Sequence, residues 1–182
     1  VDLRSFLQLV RAPAGLTVVG DATAGMASAG RTGIVPRLGL PVASVLLYWG
    51  GMALNDAADA ELDRVERPER PIPSGRISRR GAVGVAGALT VAGLAVAGLT
   101  GGRSSLAVAV PLAASVWTYD LVAKRGWTGP LVMGACRGLD VLLGAGRDGA
   151  AAAARPALVM AGHTASVTTL SRGEVHGAEP AT

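Results

Sequence analysis

A chain of 182 residues that is 50% hydrophobic and 16% charged, with a mean hydropathy of +0.42, is not composed like a soluble domain of that length. Its charge-free runs, Leu38 to Leu54, Gly81 to Gly102, Ser104 to Tyr119 and Pro156 to Ser171, are apolar all round and approach the ~20 residues that span a bilayer, which argues against an amphipathic soluble bundle. A net charge of +4 does not indicate a nucleic-acid partner, because the arginines lie between apolar runs rather than along one face; the lone Cys136 excludes a disulfide framework.

Val1-Asp2-Leu3-Arg4 lacks the basic head and apolar core of a signal peptide, so the first membrane helix is expected to direct insertion. That helix is expected from about Pro13 to Gly30, Ala/Gly-rich as close-packed membrane helices are. Asp21 lies in its middle, either as a functional group or as the partner of an arginine on another helix. Residues 31–37 read as a short loop. The second helix is expected from about Leu40 into an acidic cluster, and the third from Ala82 to Leu99, ended by Gly101-Gly102. The fourth spans Ser104 to about Lys124, with Trp117 and Tyr119 near its end where aromatic belts lie. The fifth, Gly129 to about Gly146, carries Arg137 and Asp140 at a spacing that suits a local ion pair. The sixth runs from about Ala153 to Leu170.

Six spans make an all-α, polytopic transmembrane helical bundle. With the N-terminus cytoplasmic, that side receives Arg4, Arg11, the six arginines from Arg64 to Arg80, Lys124, Arg125 and Arg172; the other receives Arg31, Arg37, Arg103, Arg147 and Arg155. Eleven against five places the N-terminus and the acidic cluster in the cytoplasm by the positive-inside rule. An integral protein of the cytoplasmic membrane is expected.

The cluster is Asn55-Asp56-Ala57-Ala58-Asp59-Ala60-Glu61-Leu62-Asp63. On a helix continuous through Asp63, at roughly 100° per residue, Asn55, Asp59, Asp63 and Asp56 share an arc of about 100°, while Glu61 points away. Carboxylates that close repel unless a cation sits among them, and hard oxygen ligands on one face suit Mg²⁺. The alternative is an exposed acidic helix end neutralised by the arginines that follow. In the next loop Arg67, Arg70 and Arg76 stand among Pro68, Pro71, Pro73 and Gly75. A stiff backbone there holds planar guanidinium forks suited to phosphate oxygens. Acids beside arginines at a membrane surface point to a diphosphate on a greasy tail.

Asn55-Asp56-x-x-Asp59-x-x-x-Asp63 followed by Arg70-Pro71-Ile72-Pro73-Ser74-Gly75-Arg76 resembles the first signature of the UbiA family of intramembrane prenyltransferases. Tyr119-Asp120-x-x-x-Lys124-Arg125 is similar to the family's tyrosine-plus-basic end of helix four. Met133-Gly134-Ala135-Cys136-Arg137-Gly138-Leu139-Asp140 is similar to helix five of a bacterial subgroup. The resemblance covers essentially the whole chain, so residues 1–182 are expected to form one UbiA-like domain. It implies Mg²⁺-dependent transfer of a prenyl group from an isoprenyl diphosphate to an aromatic or other lipophilic acceptor within the bilayer. Asn55, Asp56, Asp59 and Asp63 would hold metal, Arg70, Arg76 and Lys124 the diphosphate, and Tyr119 would line the cavity near the allylic carbon. Asp59, Asp63, Tyr119 and Lys124 would thus carry the catalysis.

Two departures stand against that pattern. The family's second, aspartate-rich signature falls on residues 163–176, where His163-Thr164 take the place of a Tyr-Asp pair, Ser171 that of an aspartate, and Glu174 keeps a carboxylate. Glu174 is the expected ligand of a second metal there. The family has nine helices and six are expected here, so three are unrepresented. The alternative function is a truncated, inactive membrane protein acting as a partner or scaffold.

Overall fold

The computed structural model describes residues 2–175, with side chains through 172. The short helix α1 (Leu3–Leu9) is capped by Asp2, whose side chain accepts from the Ser5 amide at 2.9 Å. That hydrogen bond holds the Asp2 carboxyl below its ordinary pKa. A 3-10 turn (Ala12–Gly15) leads into α2 (Leu16–Ser28), and α3 (Ile34–Ala58), α4 (Ala60–Glu66) and α5 (Arg79–Thr118) follow. A π-helical turn (Tyr119–Ala123), α6 (Gly129–Ala145), a second 3-10 turn (Arg147–Gly149) and α7 (Ala150–Val175) complete the order, with no strand among the described residues.

The six long helical segments expected from the apolar runs are all present, and α5 contains two of them. Gly102, at φ 69° and ψ −166°, breaks the helix at a backbone conformation costly for any residue with a Cβ. Residues 103–118 then return along 79–101: Trp117 Nε1 donates to Thr90 Oγ1 at 3.2 Å. The first arm also packs antiparallel to α3. A Cβ at Gly39 would meet the Thr100 side chain, one at Gly93 the Leu47 side chain, and one at Gly50 the Ala86 carbonyl.

Small residues set the remaining crossings. At the α2–α6 contact a Cβ on Gly25 would lie 1.8 Å from the Val141 carbonyl oxygen, and one on Gly144 would lie 1.9 Å from that of Ala22. Without a hydrophobic drive between helices in lipid, such close backbone approach is what binds them. Glycines 134 and 138 let α6 meet α7 near Ala161 and Ala157 in the same way. Arg31 fastens the far end, donating to Ser105 Oγ at 2.8 Å and to the carbonyls of Gly144 and Gly101, so it serves the fold as well as any charge asymmetry. Two apolar cores result, one around Leu40, Leu47, Leu112 and Leu143 and one around Leu9, Leu54, Ile77 and Ala86.

Three expectations are corrected. The second helix begins at Ile34 and passes through Pro41 rather than starting near Leu40. It also ends at Ala58: Asp59 (φ −94°, ψ 6°) separates α3 from α4, so the acidic stretch is not one continuous helix. Arg137 and Asp140 are not each other's partners, because Arg137 Nε reaches across to Asp21 Oδ2 at 2.7 Å while Ser44 Oγ donates to Asp140 at 2.7 Å. Among the described residues, two stretches, Ile34–Ala58 and Arg79–Ala123, are long and apolar enough to cross a membrane. With 13 residues, α2 is only about 20 Å long against a hydrocarbon core of about 30 Å.

The α2–α6 crossing predicts that Gly144→Val, which places a Cβ against the Ala22 carbonyl, lowers stability by about 1–3 kcal/mol or prevents folding. Thermal unfolding of the detergent-solubilised variant checks this; an unchanged midpoint would mean that this contact does not hold the helices.

Candidate active site

Three segments converge on the end of α3. The first is the acid-bearing junction of α3 and α4. Its break puts Asp59 at the start of α4, where the helix dipole favours a carboxylate, but the side chain turns outward to Lys124 Nζ at 2.7 Å and Arg125 at 3.6 Å. Asp56 and Asp63, one on each helix, turn the other way and are almost fully buried.

The second segment is the loop at 67–78, whose proline-broken course the sequence foretells. The Ile77 amide donates to the Pro71 carbonyl and that of Ser74 to Arg70, each at 3.0 Å, and Gly75 takes φ 77°. Ile72 and Ile77 plug the apolar core beneath, and Arg79 Nε donates at 2.9 Å to the Ala57 carbonyl, one of the acceptors a helix end leaves unpaired. So anchored, the loop delivers Arg70 between the buried acids, 2.7 Å from Asp63 Oδ2 and 3.4 Å from Asp56 Oδ1. Arg67 adds a second bond to Asp63 at 3.3 Å. Arg76 differs from the expectation. It bonds Gln8 Oε1, Ser5 Oγ, Ser74 Oγ and the Glu69 carbonyl, so it fastens the loop to α1 and is not brought to the acids.

The third segment is the π-helical turn. Its wider bond, from the Lys124 amide to the Tyr119 carbonyl at 2.9 Å, re-aims the chain where a functional side chain is needed, as such turns commonly do. Asp120 thereby meets Asn55 Nδ2 at 2.9 Å and Lys124 meets Asp59. The end of α7 ties down the same turn, with Arg172 donating to the carbonyls of Gly126 and Lys124.

Sequence reasoning missed two members. Arg11, in the left-handed conformation (φ 48°), bonds Asp56 Oδ1 at 2.8 Å; its only sequence signal was a charge just ahead of an apolar helix. Asp120 was visible beside Tyr119, but nothing in the spacing tied it to Asn55, 65 positions earlier.

Asp120 lies in the lining of two cavities. A polar one of about 210 Å³ opens among Ala57, Ala58, Arg79, Lys124, Arg125 and Asp120. An apolar one of about 350 Å³ extends from Tyr119 and Asp120 past Leu47, Met52, Leu112, Val116 and Met133 to Arg137 and Asp140. Thr164 and Thr168 of α7 close its wall, so hydroxyls stand there at or near the second motif, while His163 is exposed. The Glu174 side chain and His176 lie outside the described residues.

The donor set is all oxygen, with the Asn55 amide and the carboxylates of Asp56, Asp59, Asp63 and Asp120, which is the chemistry Mg²⁺ accepts. Among the described residues no three acid or histidine side chains converge on one point. The single ligand face expected from an unbroken helix is divided at Asp59: Asp56 and Asp63 lie on arginines, Asp59 on Lys124, and Asn55 on Asp120.

The described residues thus form an all-helical bundle with paired acids and cations gathered at one end of α3 and an apolar cavity lined from Tyr119 and Asp120 to Asp140. The chain belongs to the UbiA prenyltransferase family, whose model matches residues 16–170, and it is accordingly an integral membrane protein. It is 39% identical over 126 residues to a digeranylgeranylglyceryl phosphate synthase of Methanoculleus marisnigri, covering 69% of this chain and 44% of that protein. It is 34% identical over 113 residues to the bacteriochlorophyll synthase 33 kDa chain of Cereibacter sphaeroides, covering 59% and 37%. The chain thus spans less than half the length of these curated relatives. A solved structure, described as giving insights into the biosynthesis of digeranylgeranylglyceryl phosphate synthase in membranes, superposes with a TM-score of 0.75 at 24% identity, covering 90% of this chain and 58% of that one; the likeness is one of fold.

Removing the cation shared by two buried acids should be costly. Arg70→Met is expected to lower stability by about 3 kcal/mol or more, and Asp56→Asn with Asp63→Asn in the same chain should restore part of it. Denaturation of the single and combined variants checks this, and additive losses would refute the sharing.

Proposed function

We propose that this chain forms the donor half of a prenyltransferase. It would bind an isoprenyl diphosphate with Mg²⁺ at the α3–α4 junction and transfer the prenyl group to a lipophilic acceptor inside the membrane. The observation that carries this reading is that Asp120 lies in the lining of both a cavity bearing Arg79, Lys124 and Arg125 and a larger apolar cavity, a pairing suited to a substrate with a charged head and a hydrocarbon tail. The family and the names of its similar members support the same class of reaction. Residues 1–182 are read as one domain, with six helices crossing the cytoplasmic membrane and the acidic junction on the cytoplasmic side.

In this reading Lys124, Arg70 and Arg11 take diphosphate oxygens. The allylic C–O bond breaks heterolytically and its electron pair leaves with pyrophosphate, where these cations stabilise the growing charge. Mg²⁺ would be held by Asp56, Asp59 and Asp63 with Asn55, and a second ion by Glu174 of the second motif, and would neutralise the leaving diphosphate further. Tyr119 lines the chamber beside Asp120 and presents a ring suited to the allylic cation. The acceptor supplies an electron pair to that carbon and loses a proton. Apolar walls keep out the water that would otherwise capture the cation.

The test is a membrane-fraction assay with labelled geranyl, farnesyl and geranylgeranyl diphosphates against candidate acceptors. Turnover is expected to stop on chelation of divalent cations. Asp59→Asn and Asp63→Asn are each expected to lower it by a factor of about 100 or more, and undiminished turnover in both variants would remove the assignment of the acidic junction.

A further inference from the structure

A second polar group sits in the chamber wall, away from the mouth. Asp140 of α6 is 4% exposed and Ser44 of α3 is 1% exposed, and both line the apolar cavity together with Arg137. Asp140 lies one helical turn, about 6 Å, beyond Cys136, toward the end of α6 opposite the Lys124 mouth. Burying polar side chains in an apolar bundle is expensive unless each is satisfied. The Arg137 guanidinium is engaged by Asp21 at 2.7 Å and weakly by Thr17 Oγ1 at 3.4 Å. Asp140 receives only the Ser44 hydroxyl, on Oδ2, among the described residues. Ser44 also faces the Val18 carbonyl at 3.3 Å, so its single proton is committed. Among the described residues, the wall therefore offers a carboxylate oxygen with no hydrogen-bond donor, in a mainly apolar cavity that Arg137, one turn back on the same helix, also lines.

We infer that Ser44, Arg137 and Asp140 form a polar subsite that holds a hydroxyl group of the acceptor, a lipid alcohol. A hydroxyl both donates and accepts, so one group serves Asp140 and Arg137 together. A carboxylate would be repelled by Asp140, and a pure hydrocarbon would leave Asp140 unsatisfied. The subsite is separate from the diphosphate mouth, so donor and acceptor are held together, the acceptor oriented by its hydroxyl. The inference rests on the proposed function for calling this ligand the acceptor; the binding of a hydroxyl does not depend on turnover.

The experiment measures equilibrium binding to the purified, detergent-solubilised chain of three labelled probes: geranylgeranyl diphosphate, 1-O-hexadecylglycerol, and its dimethyl ether. The alcohol is expected to bind about tenfold or more tighter than the ether, which lacks the donated proton, and to remain bound when the diphosphate saturates. Asp140→Leu should erase the preference for the alcohol while diphosphate binding persists, and Ser44→Ala and Asp140→Asn should reduce it. If Asp140→Leu no longer binds diphosphate and so has not folded, the two milder variants decide. Equal binding of alcohol and ether by the unaltered chain overturns the inference. So does a preference that survives in every variant that still binds diphosphate, or displacement of the alcohol by diphosphate. Failure of the unaltered chain to bind diphosphate, with the alcohol preference intact, would instead overturn the donor reading and leave the subsite standing.

Discussion

The arrangement depends on one guanidinium held between two buried carboxylates. Asp56 ends one helix and Asp63 belongs to the next, and at 4% and 1% side-chain exposure neither is adequately solvated by water. Arg70 bonds both, so the break at Asp59 is tolerated and the short helix α4 is tied to the end of α3. The position of Arg70 is in turn set by apolar contacts, since Ile72 and Ile77 seat the loop in the core around Leu54 and Ala86. A charged cluster at the membrane surface is thus fixed by hydrocarbon packing beneath it, and the packing is closed over by the cluster. Removing one member of a buried pair costs far more than the pair gains over apolar substitutes, so these ionic contacts act mainly as constraints on geometry.

Glycine shapes the space behind the cluster. At Gly51, which lines the apolar cavity, a Cβ would come within 2.7 Å of the Val116 side chain, so any side chain there would crowd Val116 and narrow the chamber beside Asp120. Gly25 and Gly144 pull α2 against α6 closely enough for Asp21 to reach Arg137. The same small residues that bring membrane helices together leave the chamber open between α3, α5 and α6 and set its polar wall.

Much of this was legible in the sequence because it depends on local order along the chain. Apolar run length located the six helical segments, Gly101-Gly102 marked the hairpin, and the proline-rich loop announced a rigid arginine platform. What the sequence did not disclose depends on a single backbone angle or on distant partners. An unbroken helix through Asp63 was the natural extrapolation of the 100° period, and one residue leaving helical geometry at Asp59 redistributed the acids. Arg137 and Asp140 looked like a local pair because their spacing permits it; tertiary contacts with Asp21 and Ser44 prevailed because buried charges take the partner with the better geometry. Arg76, the last residue of the arginine–proline motif, is spent on the loop and on Ser5 and Gln8 of α1, distant partners the motif itself does not announce. Arg11 was invisible as a site residue because its partner is 45 positions away.

The division of the acids has a consequence for binding. Asp56, Asp59 and Asp63 are matched by Arg11, Arg70 and Lys124, so the site is close to neutral in its own right. On the proposed reading, a diphosphate arriving with a divalent cation brings both charges that the site already holds in pairs. Binding is then an exchange of partners, with carboxylates passing from arginine or lysine to the metal and the released cations passing to phosphate oxygens. Such an exchange leaves no charge buried alone at any stage, whereas a preformed cage of bare carboxylates would be strained by its own repulsion before the metal arrived. Asp59 is the hinge of that exchange, because it is the most exposed of the three and its partner Lys124 sits on the turn that also carries Tyr119 and Asp120 into the chamber.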